Sequence, residues 1–111
     1  MPNEIVVYIT ASSPEEAEEI SRKLLEDRLI ACANIIPGVV SLFRWKGEIC
    51  RENELLIIAK SRDELFNDIV GLVKKHHSYT VPEVIALPII HGSEDYLRWL
   101  RETIGESAQG R

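Results

Sequence analysis

Residues 31–47, A-C-A-N-I-I-P-G-V-V-S-L-F-R-W-K-G, restrict the fold more than any other stretch of this chain. Val39, Val40, Leu42, Phe43 and Trp45 favour extended backbone. Pro37-Gly38 interrupts the run, as a bulge or bend does. Lys46-Gly47 marks a tight turn, and residues 48–60 read as a returning strand. Strands average ~5–6 residues, so a hairpin spanning residues 30–61 outruns what one small domain can cover. A second copy of the same chain is the simplest cover for its far end.

The remaining length leaves room for one domain. At 111 residues there is no space for a second, and 45% hydrophobic content with a mean hydropathy of -0.06 fits a chain with a real core. The expected division is a single domain over residues 1–104 and a flexible tail over 105–111. No apolar run approaches the ~20 residues of a membrane helix. Residues 1–4 lack a basic leader segment, so the expected location is cytoplasmic, with no membrane partner. A net charge of -5 argues against nucleic acid, which needs clustered Lys and Arg to neutralise phosphates. Lys74, Lys75, His76 and His77 form the one local basic patch, at the end of an expected helix where the dipole favours cations.

Element by element, residues 4–10 read as a central strand. Ser13 as N-cap, Pro14 at the first helical position and Glu16 three residues after the cap open a helix with a capping box. Its apolar stripe is Ala17, Ile20, Leu24 and Leu25. After the hairpin, residues 62–76 form a second helix with Leu65, Ile69, Leu72 and Val73 inward. Residues 84–90 are a buried strand in which Pro88 signals an edge or a bulge. Residues 94–104 form a last helix. The order β-α-β-β-α-β plus a C-terminal helix is an α+β, ferredoxin-like arrangement.

Chemistry is sparse. There is no G-x-S-x-G, C-x-x-C, H-E-x-x-H or glycine-rich phosphate loop, so enzymatic activity is not expected. His76-His77 is the most suggestive pair, because imidazole suits copper, zinc and nickel. Adjacent helical residues point ~100° apart, so sharing an ion requires the backbone to leave the helix there; otherwise one ring caps the helix and the other is solvated. Cys32, at the head of the long strand, is a further possible ligand or a small buried hydrophobe. Cys50 sits among Glu48 and Glu52 in the exposed part of the hairpin. With the turn at Lys46-Gly47, Phe43 faces Cys50 and Cys32 faces about Ser61, which places the two thiols ~36 Å apart at the strand rise. Disulfides need Cα atoms within ~7 Å, so both cysteines are expected free. Trp45, Tyr79, Glu83 and Lys60 could line a cleft beside the sheet, or serve as packing and strand-end ion pairs. Tyr96 and Trp99 share a helix face.

Several of these stretches resemble the CutA divalent-cation-tolerance family: A-C-A-N-I-I-P-G (31–38), S-L-F-R-W-K-G (41–47), H-H-S-Y-T-V-P-E-V-I-A-L-P-I (76–89) and G-S-E-D-Y-L-R-W-L (92–100). The resemblance covers residues 5–100 and keeps the family's motif order. It implies a ferredoxin-like fold, a homotrimer resembling PII signalling proteins, and a role in tolerance of copper and other divalent cations. It also implies weak metal ligation by His76 and His77, with Cys32 in the family's A-C motif. The cysteine that some members carry late in the first strand corresponds here to Ile9, which cannot ligate. The alternatives are a PII-like sensor binding a small anion near Lys60, Lys74 or Lys75, and a scaffold trimer without a ligand.

Overall fold

Every second residue of β1 (Glu4–Ala11) is buried on one face: Ile5, Val7, Ile9 and Ala11 are at most 5% exposed. The computed structural model describes the backbone of residues 3–110 and the side chains of residues 3–104. After β1 come α1 (Pro14–Glu26), β2 (Cys32–Trp45), β3 (Glu48–Arg62), a 3-10 turn at Asp63–Leu65, α2 (Phe66–His76), β4 (Val84–Pro88) and α3 (Glu94–Gly110). The four strands form one antiparallel sheet in the order β2-β3-β1-β4. Each β-α-β crossover skips one strand, which is the ferredoxin-like split arrangement expected from the element order. Sequence alternation in β1 was masked because Val6 and Tyr8, on the opposite face, are themselves apolar and half-buried.

The two faces of the sheet are covered differently. Ile5, Val7, Ile9, Leu55, Ile57 and Ala59 meet Ala17, Ile20 and Leu24 of α1 and Ile69 and Val73 of α2 in one buried cluster. Each fully buried Ile, Leu or Val contributes roughly 1.5–3 kcal/mol of transfer free energy. Leu25, expected in the α1 stripe, is instead 41% exposed. The register puts Cys32, Lys60, Glu4 and Arg62 on the other face, here called the open face. α3 lies across part of it: Tyr96 reaches Cys32 (O···S 3.3 Å) and Arg101 reaches Glu4 (3.4 Å). Leu100 and Ile104 of α3 are fully buried, whereas Ile36, Ile85 and Leu87 of the open face remain half-exposed. α3 also continues past Ile104 to Gly110. The expected tail therefore falls on residues 105–111, whose side chains lie outside the description.

The hairpin forms as its sequence suggests. Lys46 (φ 50°) and Gly47 (φ 81°) are both left-handed, joining Trp45 to its partner Glu48 through a two-residue turn whose twist matches the strands. At Pro37-Gly38 the register slips: Ile36 pairs with Leu56, but Val39 pairs with Glu54. One extra residue on β2 makes a bulge, and Gly38 (φ 81°) takes its left-handed position. Beyond the bulge, Leu42 and Ile49 are 70% and 75% exposed. Phe43 faces Cys50 as expected, while the bulge moves Cys32 opposite Lys60 rather than Ser61. Both thiols are free. Pro88 closes β4, an edge strand, where its missing N–H costs least.

Candidate functional site

A cleft of about 590 Å³ opens where the distal hairpin meets the α2–β4 connector. Phe43, Trp45, Cys50, Glu52 and Glu54 come from the hairpin, Thr10 from β1, and Tyr79 and Glu83 from the connector. Strand periodicity explains the hairpin's contribution: Cys50, Glu52 and Glu54 are spaced by two and so share one face, opposite Phe43, Ser41 and Val39. Three of the four residues proposed from sequence as a cleft, Trp45, Tyr79 and Glu83, meet here. Lys60 does not; its ammonium donates to Asn34 Oδ1 at 2.6 Å, further down the open face. Glu52 and Glu54 escaped the sequence reading, although their period-two placement with Cys50 was the available signal.

Negative charge dominates this cleft. Glu54 is 6% exposed and accepts a hydrogen bond from the Tyr79 hydroxyl at 2.9 Å. Burial pushes the Tyr79 hydroxyl up to about 12, reinforced by that bond and by the charges of Glu54, Glu52 and Glu16. Among the described residues none of Glu52, Glu54 and Glu83 has a basic side chain within ion-pair distance.

The wall that carries Tyr79 is anchored by His77 and Glu16. The His77 ring is fully buried; Nε2 donates to the Thr10 carbonyl at 2.7 Å and Nδ1 accepts the Tyr79 N–H at 3.0 Å. These partners assign the neutral Nε2–H tautomer and occupy both nitrogens. Glu16 accepts from the Ser12 N–H and hydroxyl through Oε1 and from the Ser78 N–H through Oε2. The expected capping box is thus displaced by one residue, from Ser13 to Ser12, while Ser13 Oγ still accepts the Glu16 N–H at 3.1 Å. Burial raises the Glu16 carboxyl, but the bonds from Ser12 and Ser78 outweigh it and lower its pKa from 4.5 to about 2.

The three residues read from sequence as metal ligands stand apart in this chain. The α2 helix ends at His76, as expected, and the extended His77 turns inward while His76 faces a shallow groove with Glu26, Asp27 and Asp68. Cys32 is on the open face beside Tyr96, whose hydroxyl that thiol and burial push up to about 12. From the register, Cys32 lies roughly 16 Å from the Thr10 carbonyl that holds His77. Among the described residues no group of three or more His, Cys, Asp or Glu side chains is placed to hold a metal ion.

The fold and cleft define a small α+β domain of ferredoxin-like topology with an over-long, partly uncovered hairpin. Residues 5–103 match the family model described as CutA1 divalent ion tolerance protein, so the chain belongs to that family. It is 48% identical over 102 residues to the divalent-cation tolerance protein CutA of Thermus thermophilus, covering 92% of this chain and 99% of that one. The solved divalent cation tolerance protein (Cut A1) from Thermus thermophilus superposes with a TM-score of 0.89 at 48% identity over 92% and 99% of the two chains. The chloroplastic protein CutA of Arabidopsis thaliana is 40% identical over 99 residues; these are 89% of this chain and about half, 54%, of that relative.

Proposed function

We propose that this protein is a non-enzymatic, cytoplasmic homotrimer, PII-like in architecture, that contributes to tolerance of divalent cations by binding copper(II) weakly. The observation that carries this reading is the family match across residues 5–103. Assembly is supported by the half-exposed Ile36, Ile85 and Leu87 of the open face together with Phe43 and Trp45 of the hairpin, an apolar surface that needs a partner. A cyclic ring would also cover the edge strands β2 and β4. The two free thiols fit a reducing compartment.

The copper site centres on His76, whose groove is also lined by Glu26, Asp27 and Asp68, because His77 must give up two hydrogen bonds before it can ligate. With so few ligands the ion is held weakly and exchangeably, and acidification weakens it further because protonated imidazole cannot coordinate. Calorimetric copper titration separates the parts. His76→Ala abolishes the binding heat of a weak site, whereas His77→Ala lowers thermal stability and leaves most of that heat. Equal heats in wild type and His76→Ala place the copper elsewhere and defeat this assignment.

The cleft of the single chain counts against the alternative of a PII-like sensor for a small anion. Its three carboxylates repel an anion in the isolated chain, and neither Lys74 nor Lys75 lines it. A scaffold trimer without a ligand is the remaining alternative, and it predicts no saturable binding of metal or anion.

A further inference from the structure

The cleft holds Glu52, Glu54 and Glu83 beside Trp45 and Tyr79, and among the described residues no Lys or Arg lines it. Three carboxylates in one cleft repel one another, and covering them without a countercharge is costly. If assembly buries the open face, that charge must come from a side chain on the same face of another copy. The register places Lys60 and Arg62 there, and Arg101 reaches that face from α3. Arg62 is already paired with Glu64 at 2.8 Å and Arg101 with Glu4 at 3.4 Å. Lys60 has only the neutral Asn34 amide. It cannot serve its own chain's cleft: six residues of β3 separate it from Glu54, about 20 Å at the strand rise.

We infer, on the assembly proposed above, that Lys60 of the partner subunit enters the cleft and pairs with Glu52 and Glu83, completing a composite site absent from the single chain. The contact is heterologous, one end of the open face against the opposite end of the next copy, which is the geometry that closes a ring. The site then offers an ammonium, two exposed carboxylates, a phenol and an indole around one space. It can therefore take a small polar molecule carrying both charge signs or hydrogen-bonding at both ends, rather than a simple anion.

Carbodiimide coupling tests this, because it joins a lysine amine to a carboxylate only in direct contact, forming an amide and passing the lost water to the carbodiimide. The assembled protein, made by mixing ¹⁴N and ¹⁵N chains, is coupled, digested and read by mass spectrometry. The expected product is a Lys60–Glu52 or Lys60–Glu83 peptide with mixed isotopes, absent in Lys60→Arg, whose guanidinium does not couple. Lys60→Glu should weaken assembly at least tenfold by sedimentation, and adding Glu83→Lys should restore most of it. An intact oligomer with Lys60 uncoupled, or coupled only within one chain, overturns the pairing and leaves the assembly standing. A monomer at micromolar concentration overturns the assembly itself.

Discussion

The two halves of the β2–β3 hairpin obey the same alternation and meet opposite fates. Below the bulge, Ile57 and Ala59 are fully buried under α1 and α2. Above it, Leu42, Trp45 and Ile49 are as apolar and stay 45–75% exposed. The difference is supply of cover, not pattern: α1 and α2 roof the proximal strands, while the distal residues stay open. A period-two sequence therefore says which residues share a face, and says nothing about whether that face is covered by the same chain.

Truncation should break this contrast most visibly. Ile57→Ala leaves a cavity in the roofed half and should cost about 2–5 kcal/mol in urea unfolding, at any protein concentration. Trp45→Ala removes half-exposed surface that costs little in a lone chain. If another copy covers the arm, it should instead cost 2 kcal/mol or more per chain, as central interface aromatics do, and its unfolding midpoint should depend on protein concentration. A Trp45→Ala midpoint equal to wild type at every concentration would show that the distal arm is left uncovered in solution.

The next effect belongs to the joint that ties the roof to the cleft wall. Glu16→Gln removes a charge that accepts three hydrogen bonds from Ser12 and Ser78, and bonds to charged groups are worth roughly 1.5–3 kcal/mol. The pH sign follows from the lowered pKa. The Glu16 carboxyl sits at about 2 in the folded chain against an ordinary 4.5. Its contribution is complete above 4.5 and is lost as pH falls towards 2. Wild type should therefore lose more stability than Glu16→Gln between pH 5 and pH 2; parallel acid profiles would detach Glu16 from the joint.

Gly38 marks the border between the halves. Its left-handed φ of 81° costs an alanine roughly 1–2 kcal/mol, and no steric clash adds to this because the space an alanine methyl would take is open. Gly38→Ala should lower stability by that amount. If the bulge also aims the arm at a neighbouring copy, assembly weakens in step, which sedimentation resolves from folding.

Much of this organisation was legible in residues. Pro37-Gly38, Lys46-Gly47 and Ser13-Pro14 are turn and cap chemistry, decided locally, and each stands where the sequence puts it. His76 and His77 were harder. Sharing an ion required the backbone to leave the helix there; it does so at His77, and the fold sets that ring in a buried hydrogen-bond pair and His76 in an outer groove. Lys60 was grouped with Trp45, Tyr79 and Glu83 by chemistry alone. Only the register reveals that a single chain holds it too far away. Local signals survive without a structure; distances across a sheet do not.

The smallest expected effect compares two tyrosines, one in each half. Tyr79 in the distal cleft and Tyr96 on the proximal open face are both raised to about 12, from different causes. Tyr79 is raised by burial and by the Glu54 carboxylate, Tyr96 by the Cys32 thiol and then by burial. Sulfur is a weak hydrogen-bond partner, so Tyr96→Phe should cost less than about 1 kcal/mol near neutral pH, within the ordinary worth of one such bond. A phenol whose folded pKa lies above its unfolded 10 stabilises the fold below pH 10 and loses that contribution as pH rises towards 12. Ring-labelled tyrosine titration by NMR should show Cys32→Ala moving Tyr96 back towards 10 while Tyr79 stays near 12. A Cys32→Ala spectrum in which both tyrosines keep their midpoints would mean that the thiol contact does not seat α3 on the sheet, leaving that to buried Leu100 and Ile104 and the Arg101–Glu4 pair.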